Sequence, residues 1–219
     1  MNEILIKHDH PTLTNEWKDK SYVLDYFPVG KTTYDNKLNV LKNSNNKNLT
    51  KRINGKMFIH DSIIKDTFLL DRVPSYNQPH QIRKWVDLKD WDIIGNITPL
   101  TSDIPTNVEL INRFHKLLKK NYRSHDHILF YSVEMDPNQD HYHTHFLIDF
   151  KGEYICSKEL ESLILSDLLL KEFIGYNTHK YNNRLRIEEY DKEAYDKKGV
   201  RYSYKEENKI GLLKNKNYN

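Results

Sequence analysis

Residues 127–150 read HILFYSVEMDPNQDHYHTHFLIDF, and this stretch decides the fold. Two apolar runs, ILFYSVEM and YHTHFLIDF, flank a polar segment containing Asp136, Pro137 and Asn138. That is the pattern of an antiparallel hairpin with a loop of several residues. Alternation along the second run sends His141, His143, His145 and Leu147 to one face and Tyr142, Thr144, Phe146 and Ile148 to the other. Two imidazoles two residues apart on one strand can grip a single ion.

An isolated His-x-His pair on a half-exposed strand is an ordinary surface feature. Here FLIDF follows it, which makes the strand a buried one, and inward imidazoles then need a partner that a metal would supply. With the turn centred between residues 138 and 139, Glu134 falls opposite His143, within reach of the same ion. The expected ligands are therefore His143, His145 and Glu134. Glu134 also reads as a solvent-facing residue at a strand end. The other register, His141 with His143, would put one ligand in the loop, and His125 and His127 are further candidates. Two imidazoles and a carboxylate leave positions open for substrate oxygen and suit Mg2+, Mn2+ or another divalent ion.

Outward from the hairpin the pattern is regular. WDIIGNIT (91–98) is a buried strand ended by Pro99; Thr106 to Glu109 reads as a capping box; and Val108, Ile111, Phe114, Leu117 and Leu118 repeat at helical spacing to about Tyr122. Beyond the hairpin, Ser157 is expected to cap a helix through KELESLILSDLLLKEF, RLRIEEY is a short strand, and EAYDKKGVRYSYKEENK is a last helix. Strand, helix, strand, strand, helix, strand, helix is an α+β order, with helices on one face of an antiparallel sheet and the other face free for a ligand.

Residues 1–80 are expected to form an N-terminal extension, with LKNSNNKNLTKRING (41–55) as a loop or linker and a domain boundary near residue 80, where the prolines of VPSYNQPHQIRKW fall. Residues 81–219 form the second domain. Pro28 to Thr33 resembles the end of a phosphate-binding loop, but Asp25 stands where the first glycine belongs and Tyr26, Phe27 and Pro28 crowd the backbone, so an ordinary Gly-Lys turn is the better reading.

Composition narrows the partners. Thirty-four Lys and Arg against 31 Asp and Glu leave a net charge of +3, so nucleic-acid binding would need a local basic face. Cys156 is the single cysteine, which excludes an internal disulfide and a cysteine zinc cluster and fits a reducing compartment. No apolar run approaches the ~20 residues of a membrane span, and MNEILIKHDH lacks the charged start and apolar centre of a signal peptide. A cytoplasmic protein is the expectation.

FYSVEMDPNQDHYHTHFLIDF resembles the second motif of the HUH endonucleases, in particular the rolling-circle replication initiator (Rep) proteins of plasmids and small phages. WDIIGNIT is similar to their first motif, and Gly199-Val200-Arg201-Tyr202-Ser203-Tyr204-Lys205 to their third, all in the family's order. The resemblance implies a ferredoxin-like (HUH-type) antiparallel sheet and a metal-dependent, site-specific nicking and joining of single-stranded DNA at a replication origin in a bacterial host. Tyr202 would be the nucleophile, forming a 5′-phosphotyrosine linkage, and Lys205, one helical turn on, would stabilise the phosphate or the departing phenolate. The metal would be Mg2+ or Mn2+ held by His143, His145 and Glu134, and a host helicase is a further expected partner. Tyr195 with Lys198 has the same spacing but precedes a turn-like stretch, so Tyr202 is preferred.

DNA contacts are expected from Arg83, Lys84, Lys119, Lys120, Arg123, Arg184, Arg186 and Arg201, with Tyr122, Tyr181 and Tyr190 stacking on bases. Transposases and relaxases share the chemistry. Relaxases favour a third histidine downstream of the pair, which FLIDF does not supply. A module of the same fold that binds nucleic acid without cutting is the rival from another class.

Overall fold

The computed structural model describes residues 16–69, 79–101, 103–136, 141–174, 184–191 and 209–214. The chain divides into two compact units, Met1–Leu88 and Lys89–Asn219.

In the first unit, β1 (Trp17–Asp19) leads directly into α1 (Lys20–Tyr26), whose cap is Asp19 accepting from the Tyr22 amide at 3.0 Å. Four residues later α2 (Lys31–Lys42) begins at the N-cap Gly30, and Tyr34, Leu38 and Leu41 give it a buried stripe at helical spacing. The strands β2 (Thr50–Ile53) and β3 (Lys56–His60) form a hairpin closed by Asn54 and Gly55, at φ +49° and +81°. Two consecutive positive φ values make this a two-residue turn of the kind whose twist matches its strands.

The polar tract 41–55 is thus not a linker. It holds the end of α2, a 3-10 turn (Lys47–Leu49) and most of a hairpin. Its Asn-Gly pair was the signal for the turn. The sheet order is β1-β3-β2, all antiparallel. Ile59 of β3 packs with Val23, Phe27, Tyr34 and Leu38, and with Ile64 and Phe68 of α3 (Ile64–Phe68), so residues 16–68 carry a core of their own. The unit ends with α4 (Pro79–Leu88), in which Ile82, Trp85 and Val86 are buried.

The second unit starts with β4 (Ile93–Ile97), then α5 (Ile104–Asn121), β5 (Ile128–Asp136), β6 (His141–Asp149), α6 (Ser157–Ser166), α7 (Leu168–Ile174), β7 (Leu185–Glu189) and β8 (Lys209–Lys214). It is an α+β fold with one antiparallel five-stranded sheet of order β7-β4-β6-β5-β8. Both β4 and β5 run antiparallel to β6, which lies between them, so the β4–α5–β5 connection steps over one strand. One face is built from Ile93, Ile97, Leu129, Tyr131, Val133, Phe146 and Ile148, and it packs with Leu110, Ile111, Phe114 and Leu118 of α5, Leu160 and Ile164 of α6, and Leu170 and Ile174 of α7.

Several local expectations are corrected. α5 opens at Ile104, before Thr106, because Asp103 is the N-cap, accepting from the Thr106 amide at 2.6 Å; Pro105 suits the first turn, where its missing N–H is no loss. Ser157 is the first residue of α6 and not its cap, its amide donating to Glu189 Oε1 at 3.0 Å. The long helix over KELESLILSDLLLKEF is broken at Asp167, which takes a bidentate bond from Arg113 and accepts from the Leu170 amide to restart the chain as α7. KIGLLK is a strand, β8, of which the sequence reading covered only Lys209, as the end of its last helix. Apart from Lys209, the expected last helix lies outside the described residues.

The face away from the helices is also not bare along its length. Ile128, Phe130 and Leu147 on it are all 1% exposed or less, and along β6 access increases toward His145, His143 and His141.

Candidate metal centre

The registry of β5 on β6 places Glu134 opposite His143, Val133 opposite Thr144 and Ser132 opposite His145. Residues directly across an antiparallel pair share a face, so Glu134, His143, Ser132 and His145 lie together away from the helices. On the other side of β6, Asn96 of β4 also faces His145. Thr144 points to the helical side, where its hydroxyl donates to Asn107 Oδ1 at 2.8 Å, and Asn107 in turn donates from Nδ2 to the Asp103 carbonyl at 2.8 Å. The fully buried residue between the two histidines therefore anchors their strand to the start of α5.

Nε2 of His143 and Nε2 of His145 are 2.9 Å apart, with rings crossed at 79°, and His145 Nε2 is 3.4 Å from Glu134 Oε2. One ligand atom from each of the three residues falls within 4.8 Å of the others. Ligands about 2.0–2.1 Å from a common cation and at right angles to one another stand about 3 Å apart, so the nitrogen spacing fits a shared ion. Glu134 is almost enclosed, its side chain 7% exposed, while His145 at 24% keeps one side open. A closed carboxylate and open imidazoles make a site that a substrate oxygen can enter. Two more polar atoms stand beside it: Asn96 Oδ1 and Ser132 Oγ, on the residues paired with His145 on either side, are buried and lack a hydrogen-bond partner among the described residues. A bound ion with its water or substrate oxygens would satisfy both.

His141 is exposed and outside this group, in which His143 is paired with His145. His127 sits at the opposite end of β5, a strand length of roughly 23 Å from Glu134. It forms a second histidine pair with His115 of α5, ring centroids 5.4 Å apart, and the Nε2 atoms of both are buried without a partner among the described residues. Burial pushes the His115 imidazole down to about 4, aided by His127 and Lys119, and burial likewise lowers His127.

The pair is a core feature with a stability consequence. Above pH 6.5 folded and unfolded chains both carry neutral imidazoles; below it the unfolded chain takes up protons that the folded one refuses, so stability falls as pH drops from 6.5 to about 4. For His115 the loss amounts to about 3 kcal/mol. Urea unfolding across this range is expected to show the decline in the wild type and a clearly shallower one in His115→Leu; identical pH profiles would contradict it.

Of the expected nucleic-acid contacts, Lys119, Lys120 and Arg123 are exposed around the end of α5. Lys84 is not available: its ammonium donates to the Leu24 carbonyl at 2.6 Å, and burial lowers its pKa. Tyr122 packs edge-on against Phe150 on the core instead of offering a stacking face. Arg184 bonds the Pro99 carbonyl and Arg186 is held by Glu188 in a two-point pair. Tyr202, Lys205, Tyr195, Lys198, Arg201 and Tyr181 lie outside the described residues. Asn96 and Ser132 were missed by sequence reasoning, and only the strand register, carried one strand further, could have found them. No family model, curated protein or solved structure matches the chain.

Proposed function

We propose that the Lys89–Asn219 unit is a metal-dependent nicking and joining enzyme for single-stranded DNA, of the HUH endonuclease type, that initiates rolling-circle replication. The observation that carries this reading is the convergence of His143, His145 and Glu134 at the open end of a sheet. The strand order supports it: numbered along this unit, the first four strands stand 4-1-3-2, the ferredoxin-like arrangement of two split β-α-β units. The segment carrying Tyr202 also has both anchors fixed by described residues. It leaves from β7 at one sheet edge and returns at Lys209, which pairs with Val133 on β5, beside Glu134.

In this reading the Tyr202 phenol gives up its proton and its oxygen attacks the phosphorus of a phosphodiester, the bond to the 3′ oxygen breaks, the 5′ phosphate stays on the tyrosine and the freed 3′ oxygen takes up a proton in exchange. A divalent ion, when bound, neutralises the non-bridging oxygen and draws the leaving oxygen. His143, His145 and Glu134 would hold that ion, Lys205 would supply positive charge to the phosphate, and Asn96 and Ser132 would offer hydrogen bonds to substrate oxygens beside it. Reversal of the attack by a 3′ hydroxyl rejoins the strand.

The test incubates the protein and Mn2+ with single-stranded oligonucleotides tiling the DNA element that encodes it, then looks for a covalent adduct on a denaturing gel. Wild type is expected to form the adduct and Tyr202→Phe to form none. Equal adduct from both would remove Tyr202 as nucleophile, and absence of any adduct across all fragments would favour a module that binds without cutting.

A further inference from the structure

The Met1–Leu88 unit carries a second arrangement, independent of the metal centre and of any cleavage there. α1 and α2 are joined by four residues, Phe27 to Gly30, the turn length and glycine of a helix-turn-helix. The β2–β3 hairpin follows within eight residues, and β1, which precedes α1, closes the sheet on the hairpin's inner strand. A helix pair followed by a hairpin wing is a known way to present one helix to a DNA groove. The buried stripe of α2 faces the core through Tyr34, Leu38 and Leu41, which leaves Thr32, Asn36 and Asn39 exposed on the outward side. These are uncharged side chains that donate and accept hydrogen bonds, and Asn is the residue that pairs two-fold with adenine in the major groove. At about 18 Å, α2 is long enough to span that groove, which is ~12 Å wide.

Charge points to the same ligand. Residues 31–60 hold seven Lys and Arg against a single acid, Asp35, in a chain whose total is only +3. The one acid is itself neutralised by Lys20 at 2.6 Å. Lys31 at the start of α2 and Arg52 and Lys56 beside the hairpin turn are exposed, and the hairpin is braced by Lys51 lying 3.7 Å over the Trp17 ring. We propose that this unit binds double-stranded DNA, with α2 in the major groove and the β2–β3 hairpin on the adjacent phosphates, so that the protein holds duplex through one unit while the other acts on single strand.

The experiment uses the full chain, EDTA to prevent cutting, and fluorescein-labelled 24-base-pair mixed-sequence DNA followed by anisotropy from 50 to 200 mM salt. Wild type is expected to bind the duplex with a steep salt dependence. The variant Lys31→Glu/Arg52→Glu/Lys56→Glu is expected to lose at least about tenfold in affinity at 100 mM salt, with the logarithmic salt slope shallower by about 3, while binding to the matching single strand changes less than about twofold. Unchanged duplex binding, or equal losses on duplex and single strand, would overturn the proposal. So would equal binding to an RNA duplex of the same sequence, whose major groove a helix does not enter. Selection from a randomised duplex pool reads the helix separately and does not rely on the charge variant folding. Wild type should enrich a motif that Asn36→Ala/Asn39→Ala relaxes at one or more positions; no motif, or the same motif from both, would overturn the placement of α2.

Discussion

His145→Ala is expected to lower Mn2+-supported adduct formation on single-stranded DNA by about 10³-fold, the scale on which removing a preorganised group from a charged transition state is felt. Its Nε2 atom stands at the middle of the cluster, 2.9 Å from His143 and 3.4 Å from Glu134, so its loss opens both contacts together. His141→Ala, a change at an exposed position four residues away on the same strand face, is the matched comparison and is expected to stay within about twofold. Single-turnover adduct formation measures both. A His145→Ala variant within tenfold of wild type would contradict the proposed role of His145.

The second large effect is on folding. Gly95 sits in the centre of β4, where a Cβ would lie 2.3 Å from the Phe146 ring and 2.7 Å from the Arg186 carbonyl oxygen. The ring has settled over the bare backbone, and the carbonyl belongs to the neighbouring strand and cannot retreat without breaking the ladder. Gly95→Ala is expected to cost about 3 kcal/mol, which for a chain of this size lowers the melting midpoint by roughly 6–12 °C. Phe146→Leu in the same background should recover part of it by freeing the ring side of the clash, a coupling that a double-mutant cycle reads directly. Gly211 repeats the arrangement on β8, where a Cβ would meet the Tyr131 ring at 2.2 Å. A melting midpoint for Gly95→Ala equal to wild type would show that the sheet can spread at β4.

The hairpin was legible because it is long and its signals agree: nine-residue strands with long apolar runs, and a polar loop whose centre dictates the partner of every residue. Glu134 could be placed opposite His143 on that ground alone. The N-terminal unit was not legible because its strands are three to five residues long, too short for alternation to stand out, and α2 carries its three buried apolar residues among Thr, Asn and Lys. Asn54-Gly55 was the one strong local signal there, and it was submerged in an asparagine-rich tract. Asp167 and Ser166 look like helix residues until Arg113, 54 positions away, fixes the carboxylate that ends α6. Cap choice at α5 turned on Pro105, which is strongly unfavourable in a propensity count and accepted only at a first turn. Asn96 and Ser132 carry no motif; they matter because two strands far apart in the chain flank His145.

Mn2+ titrated into the metal-free protein, with the unbound ion followed by its electron paramagnetic resonance signal, asks whether the paired imidazoles and Glu134 hold a cation. One Mn2+ per wild-type chain, lost in His143→Ala/His145→Ala with the circular dichroism spectrum and melting midpoint retained, is the expected result. Equal binding by wild type and the double variant, or no binding by the wild type at millimolar Mn2+, would contradict it.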